Sequence, residues 1–259
     1  MAIREEEDYK LMERLRRRVD DIVEDEATAE ALKPYYRFLC KRPCSNDDYL
    51  AHFNRPNVTL VDVSSSKGVE RATEKGLIAN GIEYEVDCII YASGFEITTE
   101  ISRRYSIDTI EGRDGLSLYD YWGDGYKTLH GMTSRGFPNQ FFTGFTQVGI
   151  SANIAANYEL QGEHIAYVIA EALARGVNVV EPSQEAQDEW CATIRETAID
   201  NSAFDAQCTP GYYNNEGGGG GEGIRSHLGE PYGPGFYAFG DLLKAWREKG
   251  DLEGLVLGA

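Results

Sequence analysis

The sequence has little of what would commit it to the specialised classes of protein. Four histidines and five cysteines are spread over 259 residues. Cys40 and Cys44 stand as C-x3-C, but His52, His130, His164 and His227 lie far apart. A tetrahedral zinc site needs a second closely spaced ligand pair, so no metal is expected. The cysteines at 40, 44, 88, 191 and 208 are odd in number and show no paired spacing. Free thiols and a reducing, cytoplasmic setting are predicted rather than a disulfide framework. No apolar run approaches the roughly 18 residues of a membrane span, and the opening MAIREEEDYK has no apolar leader core. A soluble chain without membrane association is expected. Basic charge is also scarce, with 25 Lys and Arg against 43 Asp and Glu and a net charge of −18. Such a surface repels polyphosphates, so no nucleic-acid partner is predicted. Catalytic signatures are missing as well: there is no G-x-S-x-G and no H-E-x-x-H. The pattern Gly218-x-Gly220-x-x-Gly223 lies around the Gly217–Gly221 run, which reads as a mobile loop. It neither follows a strand nor opens a helix, and outside that context it is not a dinucleotide fingerprint.

What is present suffices for one sizeable core or two smaller lobes, with 42% hydrophobic residues. Leu11, Leu15, Val19, Ile22 and Val23 recur on one face at helical spacing, predicting a helix over 4–25. A short helix follows from Ala27 to Leu32, before Pro34. The period changes to two at 58–63, after the turn residues Asn54, Pro56 and Asn57, and this predicts a strand. Turns at Lys67-Gly68, Lys75-Gly76 and Asn80-Gly81 punctuate a β-rich stretch that ends in an apolar strand at 88–91. Residues 96–140 are turn-rich and aromatic and read as irregular covering structure. A strand at 140–144, a Gly/Ser turn at 148–151, a long helix over 152–174 stopped by Gly176 and another over 183–201 are predicted next. A helix over 240–249 and a short strand at 255–257 close the pattern, and no internal repeat is found.

Four stretches, taken together, carry a resemblance. They are Phe38-Leu-Cys-Lys-Arg-Pro43 with Asp48-Tyr49 and 54–58; Asp87-Cys-Ile-Ile-Tyr-Ala-Ser-Gly-Phe-Glu96; Gly136-Phe-Pro-Asn-Gln-Phe-Phe142 with the turn and helix after it; and Cys208-Thr-Pro-Gly-Tyr-Tyr-Asn-Asn-Glu-Gly217. In this order they resemble the C-terminal part of the Baeyer–Villiger monooxygenases, a family of flavin enzymes. The resemblance also takes in 25–34, so it runs nearly end to end. It implies an α/β chain: an incomplete Rossmann-like flavoprotein fold with two dinucleotide-binding domains, of which this sequence would hold the C-terminal segments. Residues 1–35 would be the tail of a helical insertion, 36–94 the returning NADPH-domain segment with its linker, and 95–259 the returning FAD-domain segment. The family's N-terminal FAD glycine motif, NADPH glycine motif and F-x-G-x-x-x-H-x-x-x-W fingerprint have no counterpart in this sequence.

The implied cofactors are FAD and NADPH, and the implied substrates are a small-molecule ketone of unspecified size and O2, giving an ester or lactone through a flavin C4a-peroxide. Arg42 matches the family's active-site arginine. A guanidinium stays charged at any working pH and donates several hydrogen bonds to a developing oxyanion. Lys41 matches the contact to the NADPH 2′-phosphate. Ala92, Ser93 and Gly94 match the hinge linker, with Ser93 in place of the usual Thr. Gly149, Ile150, Ser151 and Ala152 would bring backbone N–H groups at a helix start to the flavin pyrimidine edge. Thr209 and Gly211 would lie in a loop near cofactor and substrate, although Cys208 stands where some members of the family have tryptophan. The bland readings stay open beside these: a surface arginine, a solvated lysine, an ordinary helix entry, and core or surface roles for Tyr158, Tyr212, Tyr213 and Trp122. Activity of this chain alone is not expected, and a separate chain carrying the N-terminal half is the partner it would need. An N- or S-oxygenating flavin monooxygenase and a non-enzymatic, partner-binding half-protein are the alternatives.

Overall fold

The structure is a computed structural model that describes residues 2–95, 102, 105–214 and 231–258. These divide into two compact units, one of residues 1–95 with 207–211 and one of 96–206 with 212–259. The polyglycine run and the Gly218–Gly223 pattern lie outside the described residues.

The first unit opens with α1 (Ala2–Ile22) and α2 (Glu26–Leu32). Asp25 caps α2 by accepting from the Thr28 N–H, which satisfies one of the donors that a helix start leaves open. The buried stripe of α1 is Met12 and Val19, continued by Val23 just past its end, while Leu15 of the predicted face is exposed. Val19 and Val23 pack with Ala29 against Leu32, Leu50 and Phe53. Asn54, expected as a turn residue, does more than turn the chain. Its side-chain amide donates to the Ile22 carbonyl at 2.7 Å and accepts from the Glu24 N–H at 3.0 Å, closing the end of α1. Strands β1 (Arg71–Ala72), β2 (Gly76–Ala79) and β3 (Ile82–Glu85) form an antiparallel meander in that order. The β2–β3 turn is Asn80-Gly81, both at positive φ, the backbone twist that a two-residue hairpin demands.

Two predicted strands of this unit are not formed. Residues 58–63 and 88–91 have no strand pairing, and Ile90 and Tyr91 are 86% and 85% exposed. A strand is an arrangement of two chains: its N–H and C=O groups need a neighbour, and an apolar run alone cannot supply one. Among the described residues no strand lies beside either segment.

In the second unit the cores are helical and aromatic. A turn at Arg113–Gly115 leads to α3 (Leu118–Tyr121), and α4 (Ile154–Ala174) is followed by β4 (Val179–Pro182) and α5 (Gln184–Thr197). Next come α6 (Ser202–Asp205), α7 (Phe236–Lys249) and β5 (Leu255–Gly258). β5 pairs antiparallel with β4. Residues 110–140 are core rather than covering structure. Leu118, Trp122, Tyr126, Phe137 and Phe142 form a buried cluster, and the Trp122 ring lies 4.8 Å from that of Phe142. The strand predicted at 140–144 is absent. The segment and the residue before it make single backbone bonds to separated places, Asn139 N–H to the Val180 carbonyl and Phe142 N–H to the Met132 carbonyl, each 2.9 Å. Helix α7 begins earlier than predicted and ends at Gly250, whose φ of 72° is the left-handed close that glycine permits. All the described sheets are antiparallel, so the α/β description holds at the level of mixed helices and strands.

Candidate functional site

In the first unit, Asp8 of α1 sets the segment that carries Lys41 and Arg42. Its carboxylate accepts from Arg37 Nε at 2.9 Å and from the Phe38 N–H at 2.8 Å. The chain then buries Cys40, which is 2% exposed and disulfide-bonded to Cys208. This overturns the expectation of free thiols throughout. Cysteine spacing along the sequence does not report which residues the fold brings together, and these two stand 168 positions apart. Cys44, Cys88 and Cys191 are free.

The ammonium of Lys41 donates to the Pro210 carbonyl and sits 5.9 Å from the centre of the Tyr36 ring. A Cβ added at Gly211 would lie 3.2 Å from Lys41 Nζ, so glycine leaves the lysine head its room. Lys41, Thr209 and Gly211, predicted separately, are thus neighbours in one loop cluster. Arg42 beside them is exposed, and among the described residues its guanidinium has no ion pair. Ala92, Ser93 and Gly94 are exposed, with Gly94 at φ 102°, a conformation costly to other residues.

The second unit holds Gly149–Ala152. Gly149 is needed by packing: a Cβ there would lie 2.5 Å from Phe239 Cβ of α7 and 2.6 Å from the Gly235 carbonyl oxygen. Helix α4 starts two residues later than predicted, and its cap is Asn153, whose side chain accepts from the N–H groups of Ala155 and Ala156. The Ser151 N–H is also occupied, by Asn157 Oδ1 at 3.0 Å. Among the described residues, the N–H groups of Ile150 and Ala152 meet no acceptor, and both residues are exposed. Two of the four predicted positions therefore keep N–H donors without an acceptor among the described residues, while Gly149 and Ser151 serve the scaffold.

The residues that hold this turn were not found in the sequence. Asn157, 1% exposed, donates to the carbonyls of Ser151 at 2.8 Å and Asn153 at 3.1 Å while accepting from Ser151. Gln161, one turn further along α4, accepts from the Gly144 N–H and donates to its carbonyl, both at 2.9 Å. Each amide stands in for a strand neighbour to a backbone that has none. Asn157, Gln161, His164, Val168 and Ala172 form the buried face of α4, so polar amides at core spacing were the available signal. Asn157→Ala is expected to lower the stability of the second unit by about 2 kcal/mol, because the partly buried Ser151 backbone groups and the Asn153 carbonyl lose their partner. Urea titration followed by tryptophan fluorescence measures this, and a loss under a few tenths of a kcal/mol contradicts it.

His130 and His164 lie deeper, 7% and 4% exposed with ring centres 5.4 Å apart. Both pack on Trp246, at 5.6 Å and 4.9 Å. Burial alone holds His130 down at about 4. Burial first, then the neighbouring His130 and Arg247, holds His164 at about 3. Both are neutral at neutral pH and line a small cavity in the core with Met132, Phe141 and Val168. Among the described residues no group of three His, Cys, Asp or Glu side chains could hold a metal ion, and no helix is long and apolar enough to cross a membrane.

No protein-family model matches the chain. Pentalenolactone D synthase of Streptomyces exfoliatus is 47% identical over 255 residues, which is 98% of this chain and 43% of that protein. A Baeyer–Villiger monooxygenase of Streptomyces coelicolor is 44% identical over 93% of this chain and 39% of its own length. Among solved structures, a polycyclic ketone monooxygenase from Thermothelomyces thermophila superposes with a TM-score of 0.84 at 36% identity, over 97% of this chain and 40% of its own. An oxidised steroid monooxygenase bound to NADP gives 0.74 at 27% identity, over 97% and 45%. The chain therefore spans about two-fifths of the length of the proteins it matches. In sequence and in fold it corresponds to a C-terminal part of a Baeyer–Villiger monooxygenase.

Proposed function

We propose that this chain is the C-terminal portion of an FAD- and NADPH-dependent Baeyer–Villiger monooxygenase that converts a ketone to an ester or lactone with O2, working only together with an N-terminal half. The observation that carries this is the collinear match over nearly the whole chain to under half of each relative. The unpaired apolar segments 58–63 and 88–91 support the need for a second half, since exposed Ile90, Tyr91 and Phe95 are the kind of surface a neighbouring strand would cover. In this reading residues 1–35, 36–94 and 95–259 are the insertion tail, the NADPH-domain segment with its linker and the FAD-domain segment.

When bound, the flavin and nicotinamide supply the redox chemistry, and this chain supplies binding and field. Arg42, exposed and without an ion pair among the described residues, is available to meet anionic charge that develops on the substrate oxygen. Lys41, a compact cation that donates to the Pro210 carbonyl, would be the partner of a phosphate. The N–H groups of Ile150 and Ala152, without acceptors among the described residues, would meet the electron-rich edge of a reduced ring. Ala92–Gly94 would give the hinge between segments, and Thr209 and Gly211 would close over Lys41.

The test is a titration of the chain with FAD, following flavin fluorescence with and without a separately expressed N-terminal half of the Thermothelomyces relative. Saturable quenching is expected only when both are present. Tight binding by this chain alone would overturn its dependence on a second half. No binding in either case would favour a non-enzymatic half-protein.

A further inference from the structure

Three contacts at nearly consecutive positions join the turn before Arg42 to the 207–211 loop. Arg37 Nη1 donates to Gln207 Oε1 at 2.7 Å, Cys40 is bonded to Cys208, and Lys41 Nζ donates to the Pro210 carbonyl. The two polar contacts are solvent-exposed, and such contacts hold little in water. Of these three contacts the covalent bond is the one that thiol chemistry can open and close.

We propose that Cys40 and Cys208 are a thiol–disulfide switch. Oxidised, the pair clamps Thr209–Gly211 onto the Lys41–Arg42 turn; reduced, it releases the loop. The reaction partner is a low-molecular-weight disulfide, RSSR. Cys208 is the more accessible of the two, Cys40 being buried, so the Cys208 thiolate attacks RSSR first, forming a mixed disulfide and releasing one RSH. The Cys40 thiolate then attacks the Cys208 sulfur and expels the second RSH. Two protein thiols lose two electrons and two protons, and one RSSR gains both. Two equivalents of thiol reverse the step. Cys44, exposed and four residues from Cys40, is the competing partner that a test must separate. The switch is a property of the chain without cofactor, so its success or failure is independent of the flavin reading.

The experiment equilibrates the full chain in mixtures of glutathione and glutathione disulfide, then quenches, denatures and alkylates it. Five alkylations are expected at the reducing end and three, on Cys44, Cys88 and Cys191, at the oxidising end, with a Cys40–Cys208 peptide by mass spectrometry. Hydrogen exchange at the Thr209 and Gly211 amides should slow by about tenfold on oxidation. Cys40→Ser and Cys208→Ser should each abolish that slowing, while Cys44→Ser should leave the transition in place. Five alkylations at every ratio, a mapped Cys40–Cys44 bond, or equal exchange in both states would each overturn the proposal.

Discussion

Acidification from about pH 7.5 to pH 5 is expected to lower the stability of the second unit by about 4 kcal/mol. The source is the buried His130–His164 pair, held neutral at about 4 and about 3. Below the ordinary histidine value near 6.5 the unfolded chain takes up two protons that the folded unit refuses, so falling pH favours unfolding. The contribution is complete above about pH 6.5, declines as the pH falls, and stops declining once the pH passes the folded values. At pH 5 each ring is about 1.5 units below its unfolded value, or about 2 kcal/mol. All three tryptophans, at 122, 190 and 246, lie in this unit, so urea unfolding followed by their fluorescence reads it selectively. His164→Phe should be tolerated at neutral pH, since Nδ1 of that ring has no hydrogen-bond partner, and should halve the slope between pH 6.5 and pH 5. An unchanged slope in the variant, or a flat profile in the parent, would show that the pair does not govern acid stability.

Glu181→Ala is expected to cost about 3 kcal/mol. The Glu181 side chain is 4% exposed, and its Oε1 takes Arg113 at 2.9 Å and Arg135 at 3.5 Å. Its Oε2 accepts from the Gly136 N–H at 3.1 Å. This carboxylate on β4 therefore holds the Arg113–Gly115 turn and the 135–136 segment together. Both guanidiniums are partly exposed and recover solvation when the acid is lost, which keeps the cost at the lower end for a broken buried pair. The Gly136 N–H, in a partly buried bond, loses its acceptor as well. Glu181→Gln keeps an acceptor and should cost about half as much. Equal losses in the two variants, measured by the same urea titration, would mean that charge rather than the Gly136 bond dominates.

The local elements of this protein were legible because their causes are local. Helix α5 was readable from Ser183 as cap, and its hydroxyl accepts from the Ala186 N–H. The hairpin at Asn80-Gly81 was readable because a positive φ at two successive positions selects those residues. The site was legible in part. Lys41, Thr209 and Gly211 were singled out one by one, but that they are neighbours was not visible at a separation of 168 residues or more. Asn157 and Gln161 were passed over because a buried amide at helical spacing reads as an interruption of the apolar face until its backbone partner is known.

From the residues alone came the run of amphipathic helices, a β-rich stretch with its turns, the acidic surface and four ordered stretches that resemble one enzyme family. These follow from periodicity and residue chemistry within a few turns of chain. Tertiary structure alone decided that Cys40 bonds Cys208, that Gly149 is glycine because α7 packs against it, and that two histidines share a dry core. It also decided that 58–63 and 88–91 stay unpaired. A helix closes its hydrogen bonds within its own segment. A strand, a disulfide or a buried charge takes its partner from a distant part of the chain or from another, and no local pattern names that partner.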